Sequence, residues 1–185
     1  MKILYIHGFN GTPHGEKYEM LSRCYPAAEI LAPPHDSIPN NVYNLLDGLA
    51  SGLDAHEDVI IGTSLGGFWA NYFALRHGVR ALLLNPVVSP ATRLPLLGCS
   101  FAADYESFEK LDNSRQRPPA IVLLAEDDEV LPYREAFEHF SGDCDVRVLK
   151  SGGHRMNDPA SLEAIKSALD DIIKPFVMKT STSRP

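Results

Sequence analysis

Gly62-Thr63-Ser64-Leu65-Gly66-Gly67 sets a serine between two flanking glycines. A buried β-type run at residues 58–61 precedes it, and a helical pattern at residues 66–77 follows. At a strand-to-helix turn of this G-x-S-x-G form, the serine takes up strained backbone and its hydroxyl stands clear of the sheet. Glycine at positions 62 and 66 removes side chains that would collide in so tight a turn. The helix that begins beside Ser64 aims amide donors at negative charge forming on an attacked carbonyl. Ser64 is therefore the candidate nucleophile. The same residues could build a glycine-rich turn without chemistry, so the pattern has to be judged with its partners.

A serine hydroxyl is a weak nucleophile until a base takes its proton. Ser151-Gly152-Gly153-His154 lies between the last β-type run and the last helical pattern, and its glycines suit a bent loop that returns an imidazole to Ser64. His154 is the candidate base. Among the other histidines, His139 falls inside a helical pattern, and His56 and His77 read as exposed connectors. His35 follows a strand and could line the mouth of a site, but reads as structural. An orienting acid would accept a hydrogen bond from the imidazole and fix its tautomer. Glu126-Asp127-Asp128-Glu129 supplies four acids after a buried run. The residues alone leave the choice open, and some of them read as a solvated turn capping the next helix. His7-Gly8-Phe9 closes the first apolar run. There the amide of Phe9 would join that of Leu65 as an oxyanion hole, with His7 and Gly8 shaping the loop.

These groups need a frame. Residues 2–6, 29–31, 58–61, 80–84, 120–124 and 145–149 read as strands. Residues 16–23, 40–53, 66–77, 133–140 and 161–173 read as helices, the last with Leu162, Ile165 and Leu169 on one face. This alternation implies a parallel sheet with helices on both faces. Val59-Ile60-Ile61 and Ile121-Val122-Leu123-Leu124 lack polar alternation, as strands buried on both sides do. Residues 86–119 form a long interval between strands, and long connections in compact domains are usually functional or disordered. Within it Leu94, Leu96, Leu97 and Phe101 could wall an acyl pocket or only cover the sheet, and a polar helix-like piece spans residues 105–111. The expected organisation is one domain over residues 1–177, with 86–119 as a cap or lid insertion and 178–185 as a flexible tail.

Composition narrows the partners. The chain has 185 residues, 44% hydrophobic and 22% charged, enough for one domain with its own core. A formal net charge of −7 disfavours nucleic acid, whose phosphates need a basic patch. Cys24, Cys99 and Cys144 are widely spaced and odd in number, the pattern of free thiols in a cytoplasmic protein. No Cys or His spacing suits a metal. The N-terminal apolar run is too short for a signal-peptide core, and no run reaches membrane-helix length. The expectation is a cytoplasmic protein with a small-molecule substrate, no cofactor, and neither nucleic acid nor membrane as partner. The oligomeric state stays open.

With these residues in place, the chain resembles the α/β hydrolases, and in particular the small YqiA-like bacterial esterases. The resemblance runs from Lys2 to about Ile173. Tyr5-Ile6-His7-Gly8-Phe9, the Ser64 turn, Leu84-Asn85-Pro86, Asp128-Glu129-Val130-Leu131 and Gly153-His154 carry it. It implies a three-layer fold, about six mostly parallel strands in the order 2-1-3-4-5-6, and a cap at residues 86–119. It also selects Asp128 as the acid, before a Glu-Val pair; Ala125 stands where the broader fold commonly has glycine. The implied activity is hydrolysis of carboxylic esters with short or medium acyl chains through a Ser-His-Asp triad. An acyl-CoA thioesterase is the alternative with the same machinery; the negative net charge disfavours it mildly, and Arg93 could offset that. The alternative of another class is a hydrolase-fold interaction scaffold with little catalysis.

Overall fold

The computed structural model describes residues 1–110 and 117–174. The tail expected at 178–185, and residues 111–116 of the expected cap, lie outside the described residues. β1 (Lys2–Ile6), β2 (Glu29–Leu31), β3 (Val59–Thr63), β4 (Arg80–Leu84), β5 (Ala120–Ala125) and β6 (Asp145–Leu149) form one sheet in the order β2-β1-β3-β4-β5-β6. Every neighbouring pair is parallel. The order matches the one the resemblance implies. The chain steps outward from β1 to β2, then crosses back to β3 and runs the other way. In an open parallel sheet such a reversal leaves a crevice at the carboxyl ends of the two strands. Here those ends are His7-Gly8 and Thr63-Ser64.

The pleat sorts each strand between two cores. Leu4, Ile6, Ile60, Leu83, Val122 and Leu124 pack in one cluster with residues of α2 (Pro39–Ser51), α3 (Leu65–His77) and α6 (Tyr133–Phe140). Ile3, Tyr5, Val59, Ile61, Leu82 and Leu123 pack in the other, with α1 (Glu16–Cys24) and α7 (Pro159–Ile173). Apolar surface is buried on both faces, so the strands read as unbroken apolar runs. α3 is the central helix. Its Phe68, Trp69, Ala70, Phe73 and Ala74 are all buried, and a helix covered around most of its surface loses its polar stripe. α7 begins at Pro159, earlier than its apolar period, because Asp158 caps it by accepting the amides of Ala160 and Ser161. Among the described residues, no helix is long and apolar enough to cross a membrane.

The described part of residues 86–119 folds into short helical pieces. α4 (Pro90–Arg93) runs into a 3-10 turn (Leu94–Leu97), and a second turn (Ala102–Tyr105) runs into α5 (Glu106–Glu109). The helix-like reading of 105–111 thus covers α5, and the first turn begins before it. Tyr105 is fully buried with its ring 5.7 Å from Trp69, and its hydroxyl donates to the carbonyl of Ser37 at 2.6 Å. Phe108 lies 5.1 Å from Trp69. The segment is therefore tied down over α3. Its apolar residues divide: Leu94 is core, Leu96 is 74% exposed, and Leu97 is exposed as well. Phe101 sets its ring edge-on to Phe9 at 6.5 Å, and Phe9 lines the Ser64 cleft. His77 also differs from its reading as an exposed connector. It ends α3, stacks on Phe73, and its Nε2 meets Asp47 Oδ1 at 2.8 Å.

Candidate active site

Ser64 sits between β3 and α3 with φ 55° and ψ −119°, a left-handed φ that side chains rarely adopt. Four backbone hydrogen bonds hold it there. Its amide donates to the Leu84 carbonyl at 2.9 Å, and its carbonyl accepts from Gly67 at 2.9 Å, Val87 at 3.1 Å and Phe68 at 3.3 Å. Strain persists where the surroundings over-determine it in this way. The glycines allow close approach. A Cβ on Gly66 would lie 2.1 Å from the Ile6 carbonyl, and one on Gly62 would lie 2.0 Å from the Gly66 carbonyl. A Cβ on Gly8 would come 3.0 Å from that of Ser64. The turn is thus wedged against the end of β1.

His154 Nε2 lies 3.0 Å from Ser64 Oγ, and His154 Nδ1 lies 2.9 Å from Asp128 Oδ2. A neutral imidazole carries one N–H, and the carboxylate favours it on Nδ1. Nε2 is then an acceptor, and Ser64 Oγ–H donates to it. The Asp128 side chain is 1% exposed and that of His154 is 16% exposed, so the pair is largely out of water. Asp128 Oδ1 also accepts the amides of Val130 and Leu131, both at 2.8 Å, which pins the carboxylate.

Neighbouring acids hold the loop that carries the imidazole. Asp127 Oδ1 accepts the Gly153 amide at 2.9 Å, and Glu129 Oε2 accepts the His154 amide at 2.9 Å. Gly153 has φ 56°, which suits glycine. Asp127 and Glu129 are therefore more than a solvated turn. Glu126 does face solvent, paired with Lys150 at 2.6 Å. Asn85 binds the two loops together. Its Oδ1 accepts the Ala125 amide at 2.8 Å, while its Nδ2 donates to the carbonyls of Gly153 at 3.1 Å and His154 at 3.2 Å. Asn85 stands at φ 41°, a left-handed conformation that asparagine adopts more readily than most residues.

At the other side of Ser64, the amides of Phe9 and Leu65 have no acceptor among the described residues. His7 is buried, and its Nδ1 donates to the Gly8 carbonyl at 2.9 Å. Its Nε2 then accepts the His35 amide at 3.4 Å, and the two rings stack with centroids 3.7 Å apart. Burial lowers the affinity of both rings for a proton. His35 is pushed down to about 4, with the adjacent His7 as a second cause. His35 is thus a support for the loop.

A cleft of about 340 Å³ opens at Ser64 and His154, and its walls are mostly polar. Tyr5, Asn10, Thr12, Lys17, Arg155 and Asn157 contribute to them. Burial lowers Lys17 to about 8, although Glu16 favours its charge. Lys17 gave no signal in the sequence, where it sits inside an ordinary helical pattern. Arg93 belongs elsewhere. It pairs with Glu135 and lines a narrow recess beside Asp128.

This geometry sits on the fold of the α/β hydrolases. The structure aligns with Alpha/beta hydrolase domain-containing protein 10 from mouse at a TM-score of 0.74 and 17% identity, covering 93% of this chain and 89% of that one. It aligns with ferulic-acid-bound Est1E from Butyrivibrio proteoclasticus at 0.69 and 16% identity, covering 93% and 89%. The chain itself belongs to the Uncharacterised protein family (UPF0227), whose model matches residues 2–169. A UPF0227 protein of Shewanella woodyi is 34% identical over 98 residues, covering 48% of this chain and 52% of the relative. One of Serratia proteamaculans is 30% identical over 95 residues, with the same coverage. The matched stretch thus spans about half the length of these curated relatives.

Two outcomes test this network. Asn85→Ala leaves the buried Ala125 amide without an acceptor, so urea unfolding should show a loss of about 1–3 kcal/mol. An unchanged midpoint would contradict the bridging role. His7 and His35 bind protons less readily folded than unfolded, so their contribution is full above the unfolded imidazole range. It is lost as pH falls through roughly 6.5 toward the folded values. Urea midpoints should fall between about pH 7 and pH 5, and His35→Phe should flatten that slope. An equally steep slope in the variant would refute the assignment.

Proposed function

We propose that the protein is a serine hydrolase that cleaves carboxylic esters through an acyl-enzyme intermediate. The observation that carries this reading is the unbroken hydrogen-bonded row from Ser64 through His154 to Asp128. Ser64 Oγ attacks the ester carbonyl while His154 Nε2 takes its proton. The amides of Leu65 and Phe9 donate to the oxyanion, from the positive end of α3 and the β1 loop. His154 then gives its proton to the departing alkoxide. Asp128 stays ionised, holds the tautomer and stabilises the imidazolium. Water, deprotonated by the same imidazole, releases the acid and restores Ser64.

Residues 86–119 act as the cap of this single domain. Among their described residues, Phe101 sets an apolar ring against Phe9, and a cleft whose walls are otherwise mostly polar favours short acyl groups over long ones. The same steps cleave a thioester. Lys17 and Arg155 at the cleft, rather than Arg93, are the cations that would favour a thiol carrier bearing anions.

Hydrolysis of p-nitrophenyl acetate, butyrate and octanoate, set beside acetyl-CoA, tests the reading. Activity should be highest on the short esters and fall on acidification, because the base must be neutral. Ser64→Ala should lower kcat by roughly a million-fold, the scale of losing a serine nucleophile. Asp128→Asn should cost about ten thousand-fold, and Asp127→Asn far less. Undiminished turnover in Ser64→Ala would end the proposal, and a larger loss in Asp127→Asn than in Asp128→Asn would move the acid by one residue.

A further inference from the structure

The cleft at Ser64 has a donor-rich end that hydrolysis of a simple ester leaves unused. Lys17, in the first turn of α1, is 6% exposed. Its ammonium donates to the Arg155 carbonyl and, at 2.8 Å, to Asn157 Oδ1. An ammonium has three donors, and among the described residues the third has no acceptor. Tyr5 reaches the same cleft from β1. It is 5% exposed, and its hydroxyl makes no hydrogen bond among the described residues. That hydroxyl is not sealed from the cleft, so it can donate to an acceptor that enters there. Burial and Glu16 push it up to about 12, which keeps the proton on it.

The start of α1 adds to this potential. Gly15 supplies no side-chain cap, and Gly15, Glu16 and Lys17 all border the cleft. Open amides at a helix start carry partial positive charge. Arg155 brings a second cation. Glu16 is the acid here, and Asn157 Nδ2 donates to its carboxylate at 3.1 Å. Position decides which part of a substrate meets these groups. Lys17 is bonded to residues just past His154, and in the reading above His154 Nε2 protonates the leaving oxygen. The donor-rich end therefore serves the alcohol side of the ester.

We propose that Tyr5, Lys17 and Arg155 form a specificity subsite for an anionic oxygen group, carboxylate or phosphate, on the alcohol portion of the substrate. The proposal rests on the hydrolytic reading and deepens it. Ordinary esters are then poor stand-ins, and the favoured substrate is a short acyl ester of an acidic alcohol.

Three acetate esters of similar size test it: meta-acetoxybenzoate, meta-acetoxyphenyl phosphate and the neutral meta-acetoxybenzamide. At least one anion should exceed the amide in kcat/KM by roughly tenfold or more, the usual worth of a hydrogen bond to a charged group. Whichever anion leads identifies the group. Lys17→Met should abolish the preference, bringing kcat/KM on the favoured anion down to that on the amide in the same variant. Equal kcat/KM on all three esters in the natural protein, or an equal loss on all three in Lys17→Met, overturns the subsite. If Lys17→Met does not fold, Tyr5→Phe with Arg155→Ala is put through the same comparison, read by the same criteria. Calorimetry on Ser64→Ala separates this proposal from the hydrolytic one. Tighter binding of meta-hydroxybenzoate or meta-hydroxyphenyl phosphate than of meta-hydroxybenzamide supports the subsite even without turnover. Equal or undetectable binding of all three overturns it.

Discussion

The geometry around Ser64 depends on the close approach of two backbones. The first turn of α3 presses on the end of β1 where a single Cβ on Gly66 would lie 2.1 Å from a carbonyl oxygen. That contact holds the serine at positive φ and brings Gly8 against it. It also brings the loop bearing the Phe9 amide alongside the one bearing the Leu65 amide. Parallel pairing of β1 with β3 sets this distance, so the sheet order itself is part of the site. A side chain at either glycine would have to push apart the strand ends that form the crevice.

The imidazole is positioned by a second constraint, spread over the chain. Three successive acids take different parts of one task. Asp127 and Glu129 bind loop amides, and Asp128 between them binds the ring. Asn85 then fastens that loop to the end of β5. Each bond is modest, since an exposed or half-exposed hydrogen bond contributes about 1 kcal/mol. Together they fix the loop backbone, and a fixed backbone is what keeps a ring within reach of a hydroxyl.

Much of the frame was legible because its signals are local. Strand–helix alternation, unbroken apolar runs and a glycine-flanked serine each reflect a short stretch of backbone, and they point to the parallel sheet, whereas its strand order comes from the family resemblance. Helix starts were less legible. The first turn of α7 carries Pro159 and Asp158 rather than apolar residues, so its period begins late. The roles of the apolar residues within 86–119 are illegible in the sequence for a different reason. Leu94 and Leu96 have like side chains, yet one is core and the other open to solvent, and only the fold of the 3-10 turn decides between them. His77 and Lys17 were missed because their partners, Asp47 and the 155–157 stretch, lie far away in sequence. Choosing Asp128 from four adjacent acids needed family resemblance, since composition cannot say which carboxylate turns inward.

An activated serine differs from an idle one in a property that needs no knowledge of the substrate. Only a hydroxyl whose proton is shared with a base displaces fluoride rapidly from a fluorophosphonate. The protein should be phosphonylated in stoichiometric amount, with the added mass on the peptide containing Ser64 and with labelling lost in His154→Ala. No adduct at Ser64, or labelling that is as fast without His154 as with it, would contradict the account.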